Sequence, residues 1–341
     1  MDSNSIRKLS KPFFVLAPMD DVTDSVFRQI VADCAPPDLF FTEFVNADGL
    51  QSAGRQKLLK KLRFSIDEQP LIAQIWGKEP ENFYVAARQI ADGTFAKELG
   101  LPKGVNFAGV DLNMGCPQKN EIKNGTCAAL INNRPLASEI INATKQGLDG
   151  RLPISIKTRL GYKDLDMSWF EFLLSHSIDM LTIHGRTKSQ MSAVPADWES
   201  IGQIRELRDR VSQNTLIVGN GDVKNREHGL MLAEQYKLDG IMIGRGVFHD
   251  PFAFSATANA WSLFTRQERI NLYKKHVTLF METWKNRERP IHTLNKFCKI
   301  YINGFDGAKE LREILMSAQS GDELLDMLEK SSERQKQVAQ H

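Results

Sequence analysis

The sequence predicts an α/β fold: a (β/α)8 TIM barrel followed by a small all-helical domain. Three observations predict it. Eight short apolar runs alternate with amphipathic helical stretches, the residues that end those runs are of catalytic type, and after residue 255 only helical patterns remain. The runs are FFVLAP at 13–18, LFFTEF at 39–44, LIAQIW at 71–76, AGVDLN at 108–113, PISIKT at 153–158, DMLTIH at 179–184, TLIVGN at 215–220 and DGIMIG at 239–244. Each is too short for a helix, and nearly continuous β-branched and aromatic apolarity suits strands buried on both faces of a parallel sheet. Between them, stretches such as ENFYVAARQIADGTFAKEL and DWESIGQIRELRDRV place apolar residues three and four apart. A doubly wound open sheet shares this alternation and is the rival architecture.

The strand ends favour the barrel. The runs stop at Asp20 and Asp21, Glu43, Gln74, Asn113, Lys157 with Arg159, His184 with Arg186, Asn220 with Asp222, and Arg245. In a barrel all of these open onto the C-terminal face, where active sites of this fold lie. Emergence into solvent explains one or two polar ends, but not Gln, Asn, Lys and His in place of solubilising Glu and Lys.

Beyond residue 255, RQERINLYKKHVTLFMETWKN, IHTLNKFCKIYINGF, AKELREILMSA and DELLDMLEKSSERQKQ read as amphipathic helices, with GFDG as a breaker and Ser320-Gly321-Asp322 as an N-cap. The expected division is a barrel domain over 1–255 and a helical domain over 256–341, with QKQVAQH frayed. Residues 266–312 hold eleven Lys and Arg against five Asp and Glu, a local excess of six. Lys296 and Lys299, like Lys309 and Arg312, stand three apart and share a helix face. Such a surface is either a solvated face or a footprint for a polyanion.

Composition sets outer bounds. The 341 residues are 42% hydrophobic and 25% charged, which excludes disordered, collagenous and coiled-coil chains. A net charge of +2 neither requires nor excludes a nucleic-acid partner. Cys34, Cys116, Cys127 and Cys298 form no C-x-x-C pair and no zinc-like spacing, so no metal site is expected and a reducing cytosol is the default. With no apolar leader and no run of about 20 apolar residues, a cytoplasmic chain with no membrane attachment is expected.

The turns Gly219-Asn220-Gly221-Asp222 and Gly244-Arg245-Gly246 follow the last two strands, where barrels of this kind hold a phosphate. Arg245 adds charge-assisted donors. Lys157, at the fifth strand's end, reads either as a Schiff-base lysine or as a fixed cation beside an electron-rich cofactor. Gln74 and His184 supply directional groups for a flat heteroaromatic ring, and flavin mononucleotide satisfies all these features at once. Cys116, between Gly115 and Pro117, places a thiol on a constrained turn over the mouth, as proton donor or nucleophile. Cys34 and Cys298 read as core residues.

At these residues the chain resembles the tRNA-dihydrouridine synthase family. The likeness runs from the first strand to about residue 328, through APMDDVTD at 17–24, TEFV at 42–45 and VDLNMGCP at 110–117 with its downstream KNG and AAL. SIKTRLG at 155–161, IHGRT at 183–187, ADW at 196–198, GNGDV at 219–223, IGRG at 243–246 and GAKELR at 307–312 follow in family order. The resemblance implies FMN-dependent reduction of a tRNA uridine to 5,6-dihydrouridine with NADPH, hydride passing from flavin N5 to C6 and a proton from Cys116 to C5. It implies that Pro18, Met19 and Asp20 line the flavin ring, that Gln74 and Lys157 bond its polar edge, and that His184 lies near the ring or ribityl chain. Asn220, Gly221, Asp222, Gly244 and Arg245 would take the phosphate. Asn113, Arg159 and Arg186 would hold the target nucleotide, and Lys296, Lys299, Lys309 and Arg312 the RNA backbone. No stable protein partner is implied, and a monomer is expected. Two departures stand out: Gln190-Met191-Ser192 where the family often has an aromatic residue, and Cys127 where it usually has a small one. Cys127 reads as a packing residue. The alternatives are a flavin barrel acting on a small molecule of dihydroorotate or enoate type, an RNA-binding protein with a disabled barrel, and an aldolase-type barrel using Lys157.

Overall fold

The computed structural model describes residues 6–258, 260–285 and 288–338, and for 333–338 the backbone only. Among these residues nine strands form one parallel sheet: β1 Phe13–Leu16, β2 Phe40–Phe41, β3 Val45–Asn46, β4 Leu71–Trp76, β5 Gly109–Met114, β6 Ile154–Arg159, β7 Met180–His184, β8 Leu216–Asn220 and β9 Gly240–Ile243. Their order is β1-β9-β8-β7-β6-β5-β4-β2, with β3 also on β4. Val15 bridges to Leu39, and the Leu16 N–H donates to the Leu39 carbonyl at 3.1 Å, so the sheet closes on itself. Closure excludes the open-sheet rival.

The second barrel strand arrives in two pieces, β2 and β3, both paired with β4. The interruption is chemical. The Thr42 hydroxyl accepts the Gln74 N–H at 3.0 Å, where a backbone carbonyl would continue the ladder, and donates to the Glu43 carbonyl at 2.7 Å.

Six longer helices connect the strands: α1 Ser25–Cys34, α2 Pro80–Ala91, α3 Arg134–Leu148, α4 Met167–Ser175, α5 Trp198–Val211 and α6 Arg226–Tyr236. Asp24, Asn133, Asp166, Asp197 and Asn225 cap five of them by accepting an otherwise orphaned N–H of the first turn. Among the described residues, four α-helices follow the barrel: α7 Arg266–Thr283, α8 Asn295–Tyr301, α9 Ala308–Leu315 and α10 Gly321–Val338. Thr265 and Glu268 form a capping box at α7, and Ser320 accepts the Glu323 N–H at 3.1 Å as the predicted cap of α10. Of the segment expected to fray, 339–341 lie outside the described residues.

The helical region shares one apolar core with the barrel's outer layer. Phe27 of α1 meets Phe297 of α8 with ring centroids 4.9 Å apart, and His276 of α7 at 6.0 Å. A second cluster fills the barrel's lower interior, where Ile6 plugs the end against Phe13, Val15, Phe41, Ile72, Val218 and Met242. Ion pairs Arg7–Asp179 (2.9 Å), Lys11–Asp239 (2.6 Å) and Arg208–Asp239 (2.7 Å) close that end. Among the described residues, no helix is long and apolar enough to cross a membrane.

Candidate active site

Side chains alternate across a strand, so residues two apart share a face. Ile72, Met180 and Val218 belong to the apolar floor, which places Gln74, Thr182 with His184, and Asn220 on the same inward face one or two steps higher. Register joins these rows: Gln74 faces Asp111, Asn113 faces Lys157, Lys157 faces Thr182, and His184 faces Asn220. The interior is thus apolar at the bottom and polar at the top. The polar rows open into a cleft of about 1000 Å³ at the C-terminal strand ends.

The loop after β5 is held from below. Asn113 Oδ1 accepts the N–H groups of Gly115 (3.1 Å) and Cys116 (3.0 Å), while its Nδ2 donates to Gln74 Oε1 (3.1 Å). A Cβ on Gly115 would lie 3.2 Å from the Lys157 carbonyl, so the turn runs flush against β6. Cys116 is left half-buried on the cleft wall. A hydrogen bond from the Cys127 thiol outweighs burial and lowers the Cys116 thiol to about 7; the Gln118 N–H and the charge of Arg159 act in the same sense. That bond and burial push Cys127 well above the ordinary thiol range. Cys127 is fully buried at φ +54°, a left-handed conformation that accounts for a smaller residue's fitness there.

Cations crowd the opposite wall. Burial, with Arg159 nearby, lowers Lys157 to about 8 against the pull of Asp111, and no acceptor among the described residues hydrogen-bonds its ammonium. Arg159 gives Nε to the Gly115 carbonyl (2.8 Å) and Nη1 to those of Thr187 (3.1 Å) and Met191 (3.0 Å). Burial and then the charges of Lys157, Arg159, Arg186 and Arg245 drive His184 down to about 2, so its imidazole is neutral. Arg186 pairs with Asp222 and contacts His184 Nε2 at 3.1 Å; the exposed Arg245 reaches the other Asp222 oxygen at 2.8 Å. Burial favours protonation of Asp222, but its bonds from Arg186 and the Ala196 N–H, and the two guanidinium charges, hold it below the usual carboxylate range. The turns after β8 and β9 touch: a Cβ on Gly246 would fall 2.6 Å from the Lys224 carbonyl, and Gly221 sits at φ +133°. Only glycine fits either place.

The loop after β1 forms the third wall and is clamped from the helical region. Glu43 Oε1 accepts the Asp21 N–H at 2.6 Å. Arg289 reaches Asp21 (2.8 Å), Asp24 (2.5 Å) and Glu43 (3.7 Å), and Lys296 donates to the Asp21 carbonyl at 2.8 Å. Burial raises Glu43 to about 7 against the opposing charge of Arg289. The carboxylates of Asp20, Asp21 and Glu43 lie within 4.8 Å of one another, and Lys61 and Arg289 already pair with them.

A reactive-type thiol, a half-buried ammonium with no acceptor among the described residues and a pair of glycine turns therefore share one cleft. The family model described as dihydrouridine synthase matches residues 15–338. The chain belongs to the dihydrouridine synthase family. It is 45% identical over 332 residues to a probable tRNA-dihydrouridine synthase 2 of Bacillus subtilis (strain 168), spanning 96% of this chain and 97% of that protein. It is 44% identical over 323 residues to a probable tRNA-dihydrouridine synthase of Staphylococcus aureus (strain COL), spanning 94% and 93%. Among solved structures, a 2-naphthoyl-CoA reductase complex is similar with TM-score 0.52 and 12% identity, over 70% of this chain and 49% of that one. Histamine dehydrogenase from Rhizobium sp. 4-9 is similar with TM-score 0.50 and 13% identity, over 79% and 49%. At such identity these two likenesses speak for the barrel fold alone.

Every barrel residue expected in the synthase site lines the cleft: Cys116, Pro18, Met19, Asp20, Gln74, Lys157, His184, Asn220, Gly221, Asp222, Gly244 and Arg245, with Asn113, Arg159 and Arg186. Lys296, Lys299, Lys309 and Arg312 do not line it. Side-chain detail modifies several roles. Asn220 Nδ2 is engaged with the Met242 carbonyl (2.9 Å), and the Asp222 carboxylate orients arginines. Lys296 serves the barrel loop, and Arg312 Nη1 donates to the Ile302 carbonyl at 2.7 Å. Sequence reasoning gave no role to Phe44, Gln118, Lys224 and His249 on the cleft wall. Each lies within five residues of a motif or strand end, which was the available signal. Met191, half-exposed at φ +50°, also lines the cleft, in the segment singled out above as departing from the family's frequent aromatic residue.

Proposed function

We propose that this chain reduces a uridine of tRNA to 5,6-dihydrouridine, holding FMN in the cleft and using NADPH as reductant. The observation carrying this reading is that Cys116 and the unsatisfied ammonium of Lys157 face one cleft bounded by the contacting glycine turns. The residues fit the cofactor. An exposed Arg245 beside Gly221, Gly244 and Gly246 suits a phosphate, and an ammonium lacking an acceptor suits the electron-rich edge of the ring. When bound, the flavin supplies hydride chemistry between nicotinamide and the uracil C5=C6 bond.

The protein's own groups do the rest. Lys157 holds a positive charge where negative charge develops, in a site that screens it poorly. Gln74 orients the ring's polar edge, and neutral His184 donates or accepts without adding charge. Asp222 fixes Arg245, while Pro18, Met19 and Asp20 form the wall of the ring site. Asn113 and Arg159 hold the uracil, Arg186 braces Asp222 and His184 at the edge of the nucleotide site, and Cys116 holds the proton destined for C5. The uridine must leave its stack, at a few kcal/mol. Phosphate contacts from the helical unit over 256–341 offset that cost, through Lys299 and Lys309 with Lys296 and Arg312 beside them. The enzyme acts as a monomer.

The test is direct. Purified protein is expected to be yellow, to release FMN on denaturation, and to form dihydrouridine in unmodified tRNA when given NADPH. A colourless protein that takes up no FMN overturns the flavin reading. An FMN-loaded protein that oxidises NADPH but leaves every RNA unchanged overturns the RNA reading.

A further inference from the structure

The chemistry above leaves Asp111 unused, although it lies fully buried directly beneath the cleft. Its two oxygens accept from Ser155 Oγ (2.5 Å) and Gln74 Nε2 (2.7 Å). Gln74 Oε1 then accepts from Asn113 Nδ2 (3.1 Å), and Asn113 Oδ1 accepts from the N–H groups of Gly115 and Cys116. All four side chains are buried.

The sense of this chain follows from one group. A carboxylate only accepts, so Gln74 must turn its NH2 toward Asp111 and its oxygen toward Asn113. Asn113 must then donate to Gln74, which leaves its oxygen, and not its NH2, for the two loop N–H groups. Were Gln74 reversed, Asn113 would reverse too and set donors against donors at Gly115 and Cys116, a buried arrangement that costs far more than a neutral swap. We infer that Asp111 is a positioning residue for Cys116: it sets the orientation of the Gln74 and Asn113 amides and so holds the thiol-bearing turn on the cleft wall. This rests on Cys116 being the proton donor proposed above. Burial pushes Asp111 up to about 7, opposed by Ser155, Gln74 and the charge of Lys157, so at pH 8 it is ionised.

The experiment compares full-length protein, as purified, with Asp111→Asn and Asp111→Leu at pH 8. Iodoacetamide alkylation of Cys116 is followed by mass spectrometry of its peptide, alongside kcat and KM for tRNA. Asn keeps an acceptor for Gln74 and offers an N–H to Ser155, so both rates should stay within about twofold of the parent. Leu removes the acceptor, and the alkylation rate should change by about tenfold or more while kcat falls at unchanged KM. If Asp111→Leu is insoluble, Gln74→Met breaks the chain one bond later with little change of volume and, compared with the parent at matched flavin content because Gln74 also faces the ring site, should reproduce the change at Cys116. Parent-like alkylation in Asp111→Leu, or in Gln74→Met where that replaces it, overturns the inference. So does Asp111→Asn behaving like Asp111→Leu, which would make charge the contribution. Alkylation needs no flavin, so a colourless protein would defeat the proposed function while this contrast is still read.

Discussion

At the closed end of the barrel, Asp239 accepts from Lys11 (2.6 Å), Arg208 (2.7 Å) and the Ile217 N–H (2.8 Å). At the open end, Lys157 has no hydrogen-bond acceptor among the described residues. Burial works against the charged form in both. For Asp239 it is outweighed by Lys11, the Ile217 N–H and Arg208, and the carboxyl stays below its ordinary range; for Lys157 it prevails, and the ammonium falls to about 8. Charges that satisfy one another at the bottom hold the architecture. Charge that lines the open cleft at the top without a protein acceptor is available to a ligand.

The largest effect expected from breaking this contrast is at the top. Cys116→Ala should keep FMN and its reduction by NADPH, yet slow uridine reduction by ~10²–10⁴, the usual contribution of a general acid. Single-turnover mixing of pre-reduced protein with tRNA measures it. Parent-like turnover would remove Cys116 from the proton path.

At the bottom the same kind of change should act on stability alone. Arg208→Met strands a largely buried Asp239 with Lys11 as its remaining cation, and should cost about 3 kcal/mol in urea unfolding of the FMN-loaded protein. kcat per folded molecule should not move. A changed kcat at unchanged stability would mean that the two ends are not separate.

How far the sequence reveals this division depends on the scale of the feature. The strands were legible because apolar runs such as LIAQIW lie buried on both faces, and the inward polar ends Gln74, Lys157 and Asn220 were legible from where those runs stop. The break at Thr42 was not, since it depends on a hydroxyl replacing a carbonyl. Asp111 was hidden because its importance lies in register with Gln74 and Ser155, which no local pattern states. Arg289 was counted among the helical region's charges, yet it is spent on Asp21 and Asp24, more than 260 positions away in the chain.

The next effect concerns pH. Cys116 titrates at about 7 and, as the proposed proton donor, can act only in its thiol form, so reduction of tRNA by pre-reduced protein should be flat below that pH. It should fall about tenfold per unit above it. The Cys127 hydrogen bond favours the thiolate, so Cys127→Ala should move the midpoint upward, toward the ordinary thiol value. A midpoint unmoved in Cys127→Ala would show that burial and Arg159 set the balance without it.

The smallest effect tests how the helical region divides its charge between the barrel and RNA. Lys296 is held by the Asp21 carbonyl and Arg312 by that of Ile302, whereas Lys299 and Lys309 are exposed with no acceptor for their ammonium groups among the described residues. Only the last two are therefore expected to act as pure phosphate contacts. Each contact removed flattens the dependence of log affinity on log salt by about 1 or slightly less. Lys299→Ala with Lys309→Ala should lower the slope for tRNA by between about 1 and 2, with FMN content and NADPH oxidation unchanged. Lys296→Ala should behave differently, perturbing the visible flavin spectrum as well, because Asp21 adjoins the wall formed by Pro18, Met19 and Asp20. A double variant with the parent's slope and turnover would mean that the excess charge serves only to clamp the loop after β1. The RNA would then have to be gripped by cations at the cleft rim, Lys224 and Arg245 among them.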